Sequence, residues 1–172
     1  MRTALLATAL LALAPALPAH SPAQNQALDG HYVLVSQGGV DINRAIDAAI
    51  RRMSFVTRPI ARGRLRKTNI PYARLDLSIT PSQISNVVDG GEPVVTPANG
   101  TIVKWVREDG EQLDVSTEWR GESLIQTFRA DDGQRENRYT LGADGRTLTL
   151  GVTITSPRLP APLTYALTYR KE

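Results

Sequence analysis

From residue 72 to the end of the chain, apolar and polar residues alternate with a period of two. Leu75, Leu77 and Ile79 are separated by polar residues, and the same pattern recurs over residues 148–154 and 163–169. In an antiparallel sheet, this pattern places one apolar and one polar face on each strand. Turn residues such as Asp-Gly separate the runs by only a few positions, so successive strands are expected to pair as hairpins. We predict strands at residues 72–79, 82–88, 92–96, 101–107, 111–119, 122–130, 134–141, 146–155 and 163–170.

The segment before this meander has a different period. Residues 30–36 form an apolar run that predicts a first strand. Apolar residues then recur at three- and four-residue steps from Ile42 to Met53, which predicts an amphipathic helix with Asp41 as its N-cap. A second helix is predicted over residues 59–67, with Thr57 as its cap. The fold class is therefore mainly β, with a two-helix insertion after the first strand. A meander of about ten strands is expected to close into a barrel, or into a half-open one.

The first residues have the layout of a secretory signal peptide. Arg2 precedes an apolar run at residues 4–17, and small residues follow it. Cleavage is expected after Ala19 or Ala23, and Ala23 is favoured because Ser21 also carries a small side chain. An uncleaved anchor is the alternative, but the run is shorter than the ~20 residues of a membrane span. We expect a signal peptide at residues 1–23 and one domain at 24–172, exported to the periplasm or secreted.

The composition limits the chemistry. The chain has no cysteine and two histidines, so thiol catalysis and a His/Cys zinc site are not expected, and no cofactor or metal is predicted. The net charge of +3 becomes +2 without Arg2, and aromatic residues make up 5%, so a nucleic-acid partner is not predicted. His31 is expected to face outward from the first strand. Asp131-Asp132-Gly133 and Asp144-Gly145 are interpreted as hairpin turns rather than calcium loops.

Basic residues are concentrated within residues 51–67, which contain no acid. This basic patch consists of Arg51, Arg52, Arg58, Arg62, Arg64, Arg66 and Lys67. One interpretation is a solvated helix face paired with scattered acids. The other is a surface that docks on anionic lipid or on an envelope polymer.

Three short motifs resemble the fatty-acid-binding proteins, within the lipocalin and calycin group. They are Gly30-His31-Tyr32 in the first strand, the turn Trp119-Arg120-Gly121, and the terminal Tyr169-Arg170-Lys171-Glu172. The resemblance implies a barrel that binds a fatty acid or a similar hydrophobic molecule. It also implies that two inward arginines and a tyrosine hold the ligand's carboxylate.

Only part of that carboxylate site is present in this sequence. Tyr169 stands at the tyrosine position, but Leu167 stands where an arginine is expected. Arg138 is a candidate for the other arginine, although alternation with Tyr139 and Leu141 places it outward. The ligand is then neutral, or the interior is filled with side chains. The candidate ligand-binding residues are Tyr169, Tyr165, Arg138 and Trp119. The alternative for the two tyrosines is that they are core residues whose hydroxyls reach a partner at the rim, as is more common for such residues.

Three functions remain open from the sequence. The leading hypothesis is an exported protein that binds an apolar or amphiphilic molecule in its barrel. The second is an envelope interaction module with a packed core, which binds lipid, polymer or protein through the basic patch. The third is an enzyme that uses carboxylates such as Asp76, Glu118 and Glu136, for which no motif is apparent. A non-enzymatic role is favoured, and the oligomeric state is left open.

Overall fold

The computed structural model describes residues 27–36 and 42–172. The signal peptide and the Asp41 cap lie outside the described residues. The helices are α1 (Ile42–Ile50) and α2 (Thr57–Thr68). The strands are β1 (Gly30–Ser36), β2 (Arg74–Ile79), β3 (Gln83–Val88), β4 (Val94–Pro97), β5 (Val103–Val106), β6 (Gln112–Arg120), β7 (Ser123–Ala130), β8 (Gly133–Leu141), β9 (Thr147–Thr155) and β10 (Leu163–Lys171).

The ten strands form one antiparallel sheet in the order β4-β3-β2-β1-β10-β9-β8-β7-β6-β5. The sheet curls into a nearly closed barrel, in which β1 joins β2 to the C-terminal strand β10. The two edge strands, β4 and β5, border a seam, across which β4 contacts β6 and the Gly100 amide donates a 2.9 Å hydrogen bond to the Thr117 carbonyl of β6. The predicted mainly β barrel with two inserted helices is confirmed.

The helices cover one end of the barrel, which we call the helix end. The chain leaves β1 for α1 and returns from α2 into β2. The antiparallel pairing places the first residues of β6, β8 and β10, and the last residues of β5, β7 and β9, at this same end. Side chains near the start of β8 therefore lie close to the helices and to the mouth of the barrel.

The helices differ in how firmly they are attached. In α1, the residues Ile42, Ile46, Ala49 and Ile50 are buried, as the helical period predicted, whereas α2 has no buried residue. The predicted cap of α2 is wrong. Thr57 is the first helical residue, and its amide lies 3.3 Å from the Ser54 hydroxyl oxygen.

Turn chemistry accounts for the second of the Asp-Gly motifs. The Asp144 carboxylate accepts hydrogen bonds from the amides of Arg146 and Thr147, at 2.9 and 2.8 Å, and Gly145 has a φ of +65°. A hydrogen bond from the Thr147 hydroxyl is the main reason why the pKa of Asp144 is lowered to about 2. The predicted hairpin turn is confirmed.

The two edge strands are shorter than predicted, since each pairs on one side only.

In the described ranges, neither helix is long and apolar enough to cross a membrane.

Candidate functional site

The inner face of the barrel is divided into three zones. Along β6, the inward residues change from apolar Leu113 and Val115 to Thr117 and then to Trp119. The neighbouring strands show the same order, with Phe128, Gln126 and Leu124 on β7, and Val94, Thr96 and Ala98 on and after β4. A polar zone therefore separates two apolar zones.

The larger apolar zone, which we call the main core, is closed. It joins α1 to the walls formed by β1, β2, β8, β9 and β10. Leu75, Leu148 and Leu150 are fully buried within it. The smaller zone, the side cluster, consists of buried Val94, Leu113 and Val115 with partly buried Val103, Trp105, Phe128 and Ala130.

The side cluster lies at the helix end, next to the seam between β4 and β5. Trp105 and Phe128 are in edge-to-face contact, with ring centroids 6.1 Å apart. Both point inward by strand register, and both retain some exposure. Inward aromatic rings that stay partly accessible are typical of the wall of a binding site.

The polar zone, which we call the polar belt, is built from Asn86, Thr96, Thr117, Gln126, Asn137 and the hydroxyl of Tyr139. The Asn86 amide nitrogen donates to Gln126 Oε1 at 2.9 Å and to Tyr139 Oη at 2.8 Å. The Tyr139 hydroxyl in turn donates to Gln126 Oε1 at 3.3 Å. These bonds join β3 to β7 and β8 across the barrel, so side chains fill the interior at this level. Burial raises the pKa of Tyr139 to about 12.

Three atoms of the belt have no hydrogen-bond partner in the described part of the chain. They are Asn86 Oδ1, Thr96 Oγ1 and Thr117 Oγ1. Thr96 and Thr117 are fully buried and Asn86 is nearly so. A buried polar atom without a partner typically costs about 1–3 kcal/mol, so three of them in one zone form an unusual feature.

On β8, Arg135 points inward and lies between the belt and the mouth. Its register partners on the inner face are Phe128 and Ile154. Its Nε donates to Asn137 Oδ1 at 2.8 Å, and its guanidinium carbon lies 5.8 Å from the centre of the Tyr72 ring. No ion pair of Arg135 is found among the described residues, so its charge is balanced only by polar and aromatic groups.

Of the four residues predicted to bind a ligand, three point into the barrel and one points outward. The Tyr169 hydroxyl donates to the Tyr72 carbonyl at 3.0 Å, and the Tyr165 hydroxyl donates to Asn69 Oδ1 at 3.0 Å. Both tyrosines belong to the main core, and burial raises the pKa of each. Trp119 points inward opposite Leu124 and packs against the main core.

Arg138 faces outward and lies 3.4 Å from Glu136, as alternation with Tyr139 predicted. Arg138 therefore points away from the barrel interior, unlike the other three candidates. The inward arginine that the sequence analysis missed is Arg135. Extending the same alternation from Tyr139 through Asn137 would have found it.

The carboxylates named for catalysis lie on the outer face. Glu118 and Glu136 both pair with Arg120, at 2.6 and 3.3 Å. His31 faces outward as predicted, and its Nδ1 lies 2.7 Å from Asp76. Among the described residues, no three His, Cys, Asp or Glu side chains are grouped to hold a metal ion.

The basic patch divides into two parts. Arg62 pairs with Asp47 at 2.7 Å, and Arg58 donates to the carbonyls of Arg51 and Met53. These two arginines hold the helices together, whereas the others are exposed, namely Arg51, Arg52, Arg64, Arg66 and Lys67.

Apolar side chains lie beside those exposed cations. Phe55, Val56 and Ile60 are 85%, 61% and 65% exposed at the corner between α1 and α2. Three large exposed apolar side chains so close together form a patch rather than isolated surface residues.

Two open clefts lie outside the barrel. One, of about 720 Å³, is bordered by the ion pair of Asp132 with Arg158 and by outward Lys104 and Asp114. The other, of about 380 Å³, lies over Gly151 on the outer face of β8–β10. Both are open to solvent, the second is bordered by Arg138 and Tyr165, and neither includes the residues of the belt.

Comparison with known proteins shows a similarity of fold at low sequence identity. No family model and no curated protein matches the chain. Among solved structures, a Schistosoma mansoni fatty-acid-binding protein in complex with arachidonic acid is 14% identical, with a TM-score of 0.53 over 87% of this chain and 98% of that one. An Echinococcus granulosus fatty-acid-binding protein is 12% identical, with a TM-score of 0.52 over 85% and 98%. An apo Caenorhabditis elegans lipid-binding protein is 10% identical, with a TM-score of 0.52 over 86% and 96%. The chain therefore has the fold that its motifs predicted.

Proposed function

We propose that this protein binds a small amphiphilic molecule at the helix end of its barrel. The apolar part of the ligand contacts Val103, Trp105 and Phe128. Its anionic group contacts Arg135. The polar belt forms the floor of this site, and the main core supports the opposite wall without contacting the ligand. The role is that of a binding protein rather than an enzyme.

The observation that carries this proposal is the charge of Arg135. A half-buried cation is costly unless an anion or several hydrogen bonds compensate it, and the contacts of Arg135 in the described chain are to neutral groups, namely Asn137, the Tyr72 ring and the Tyr165 hydroxyl. An anionic group at the mouth would compensate that charge. The fold supports the proposal, since several proteins that share it are named for fatty acids.

The test compares Arg135→Gln with Arg138→Gln, its matched control on the outer face of the same strand. Dodecanoate and dodecanol are titrated against a displaceable fluorescent fatty acid. Arg135→Gln is expected to weaken dodecanoate binding by about tenfold or more, because a charge-assisted contact is lost, and to leave dodecanol unchanged. Arg138→Gln should change neither. Equal losses for both ligands, or for both variants, would contradict the proposal.

A second candidate function is suggested by the corner between the helices. We propose that Phe55, Val56 and Ile60 insert into the interface of an anionic membrane while the exposed basic residues contact its headgroups. The face of α2 that contains Ile60 continues through Arg64 and Lys67, so apolar and basic groups share one side. Each cation near such a surface contributes about 1 kcal/mol to the free energy of membrane binding. Insertion of the apolar corner adds a hydrophobic contribution that salt does not screen.

Vesicle flotation tests this candidate. Wild-type protein is expected to bind vesicles that contain phosphatidylglycerol, and to bind pure phosphatidylcholine poorly. Ile60→Ser combined with Phe55→Ser should reduce binding several-fold at constant charge. Ile102→Ser is the matched control, since Ile102 is also exposed but lies away from the helices. Equal binding to both vesicle types, or no effect of the corner substitutions, would contradict it.

Export is the remaining part of the proposal. Residues 1–23 are proposed to direct the chain across the inner membrane and to be removed after Ala23. Expression of the full chain in a bacterium, followed by fractionation and intact mass measurement, tests this. A periplasmic product that begins at Gln24 is expected, and a cytoplasmic product of full mass would contradict it.

A further inference from the structure

The polar belt contains three buried side-chain oxygen atoms that form no hydrogen bond within the described chain. Asn86 Oδ1, Thr96 Oγ1 and Thr117 Oγ1 are buried and have no partner in the described ranges. They belong to three strands, β3, β4 and β6, that surround the seam at the inner edge of the proposed site. Buried polar groups in native proteins are almost always paired, so this concentration indicates a polar group that the belt receives.

The register of the strands brings these groups to one place. Thr117 is the direct partner of Gln126 on the inner face, and Gln126 bonds to Asn86 at 2.9 Å. Thr96 pairs with Ile84, which puts it diagonally next to Asn86 on the same face. The register therefore places the three residues next to the Asn86–Gln126 hydrogen bond, on strands that border the seam.

The chemistry of these groups selects a neutral ligand group. Reversing the amide orientations of Asn86 and Gln126 exchanges donors for acceptors, but it still leaves one polar atom of Asn86 without a protein partner. A threonine hydroxyl both donates and accepts. An alcohol also donates and accepts, so it can pair with Asn86 in either amide orientation and with either threonine, whereas an ionised carboxylate can only accept. No charged side chain belongs to the belt, so an anion would gain little there.

We propose that the polar belt recognises a hydroxyl group in the body of the ligand, at a position away from the anionic end held by Arg135. This inference rests on the proposed function, because the hydroxyl reaches the belt only when the ligand lies in the barrel. Arg135 and Asn137 are two residues apart on β8, a step of roughly 7 Å along a strand. The preferred ligand is therefore a hydroxylated anionic amphiphile whose two polar groups are separated by several carbons.

The experiment measures the affinity of wild-type protein for dodecanoate and for monohydroxydodecanoates with the hydroxyl at successive carbons. At least one isomer with the hydroxyl away from the carboxylate should bind about fivefold to tenfold more tightly than dodecanoate, the gain of about one hydrogen bond. Thr117→Val and Thr96→Val replace an unpaired hydroxyl by a methyl group of similar size. Either variant should remove the preference, so that each hydroxylated isomer binds that variant no more tightly than dodecanoate does.

Thr149→Val is the control, because Thr149 is exposed on the outer face of β9. Isomers that bind no better than dodecanoate, while dodecanoate still depends on Arg135, would overturn this inference and leave the proposed function intact. A preference that survives in the Thr96→Val/Thr117→Val double variant would also overturn it, and would indicate that the belt holds only water. Failure of wild-type protein to bind any of these acids would overturn both proposals.

Discussion

The main core and the side cluster are built from the same strands but differ in completeness. In the main core, large side chains such as Leu150 and Tyr139 are fully buried, and its tyrosine hydroxyls have partners. In the side cluster, Trp105 and Phe128 point inward yet remain partly exposed, and Arg135 lacks a counter-ion among the described residues. The apolar side chains of the main core are therefore buried, and its tyrosine hydroxyls are hydrogen-bonded. The side cluster and the belt instead have partly exposed aromatic rings and, within the described ranges, a cation without a counter-ion and polar atoms without partners. A bound ligand would cover those rings and pair with those groups.

The largest effect is expected from a cavity in the main core. Leu150 is fully buried between Tyr139 and Leu167 on the neighbouring strands. Leu150→Ala should lower the free energy of unfolding by about 2–5 kcal/mol, measured by urea denaturation. Binding of dodecanoate by the folded variant should be unchanged, because Leu150 lies outside the side cluster. A loss below about 1 kcal/mol would show that the main core is loosely packed, and the contrast between the two regions would fail.

The second effect depends on pH and also reports on the main core. Tyr139 has a pKa of about 12 in the folded protein, against about 10 in an unfolded chain, because burial disfavours the phenolate. The neutral form is therefore favoured by folding. Its stabilising contribution is fully present below pH 10 and is lost as the pH rises through about 12, a loss of roughly 2–3 kcal/mol.

Urea midpoints measured from pH 8 to above pH 11 test this expectation. Lysine deprotonation acts in the same range, so Tyr139→Phe serves as the comparison. The variant starts from lower stability, since Asn86 and Gln126 lose a partner, but its alkaline loss should be smaller. Parallel curves for the two proteins would show that Tyr139 does not carry the effect.

A third, smaller effect separates packing from binding in the side cluster. Phe128→Ala should lower the free energy of unfolding by about 1–2 kcal/mol, less than a fully buried phenylalanine would, because part of the ring is already exposed. Affinity for dodecanoate and for dodecanol should fall together, since the lost contact is apolar. A stability loss as large as that of Leu150→Ala would mean that the side cluster is closed.

Alternation and turn residues were sufficient to predict the strands. The order of strands followed, because short connections force neighbours in sequence to pair. The same alternation placed Arg138 outside, and it contained the position of Arg135, since inward Tyr139 implies inward Asn137 and Arg135. Arg135 was missed because the family motifs indicate only the position of Arg138 on this strand, whereas Arg135 follows only from the alternation of β8.

The polar belt could not be predicted in this way. The Asn86–Gln126 bond joins residues 40 positions apart on strands that are not neighbours in the sheet. It depends on how tightly the sheet curls, which alternation does not specify. The cap of α2 was missed for a local reason. Ser54 and Thr57 both suit a capping position, and their hydroxyls bond to each other at 2.9 Å.

The smallest expected effect is the most informative about the belt. The Thr117 hydroxyl is buried and makes no hydrogen bond within the described residues, so removing it deprives no protein group of a partner. Thr117→Val should therefore change the free energy of unfolding by less than about 1 kcal/mol, and in the stabilising direction, because an uncompensated desolvation cost disappears. Thermal and urea denaturation of the ligand-free protein measure this change.

Gln126→Leu is the contrasting variant, since it removes the partner of both Asn86 and Tyr139 and should be destabilising by about 1–3 kcal/mol. If Thr117→Val is instead as destabilising as Gln126→Leu, its hydroxyl already has a partner in the ligand-free protein, and the belt belongs with the complete main core rather than with the incomplete site above it.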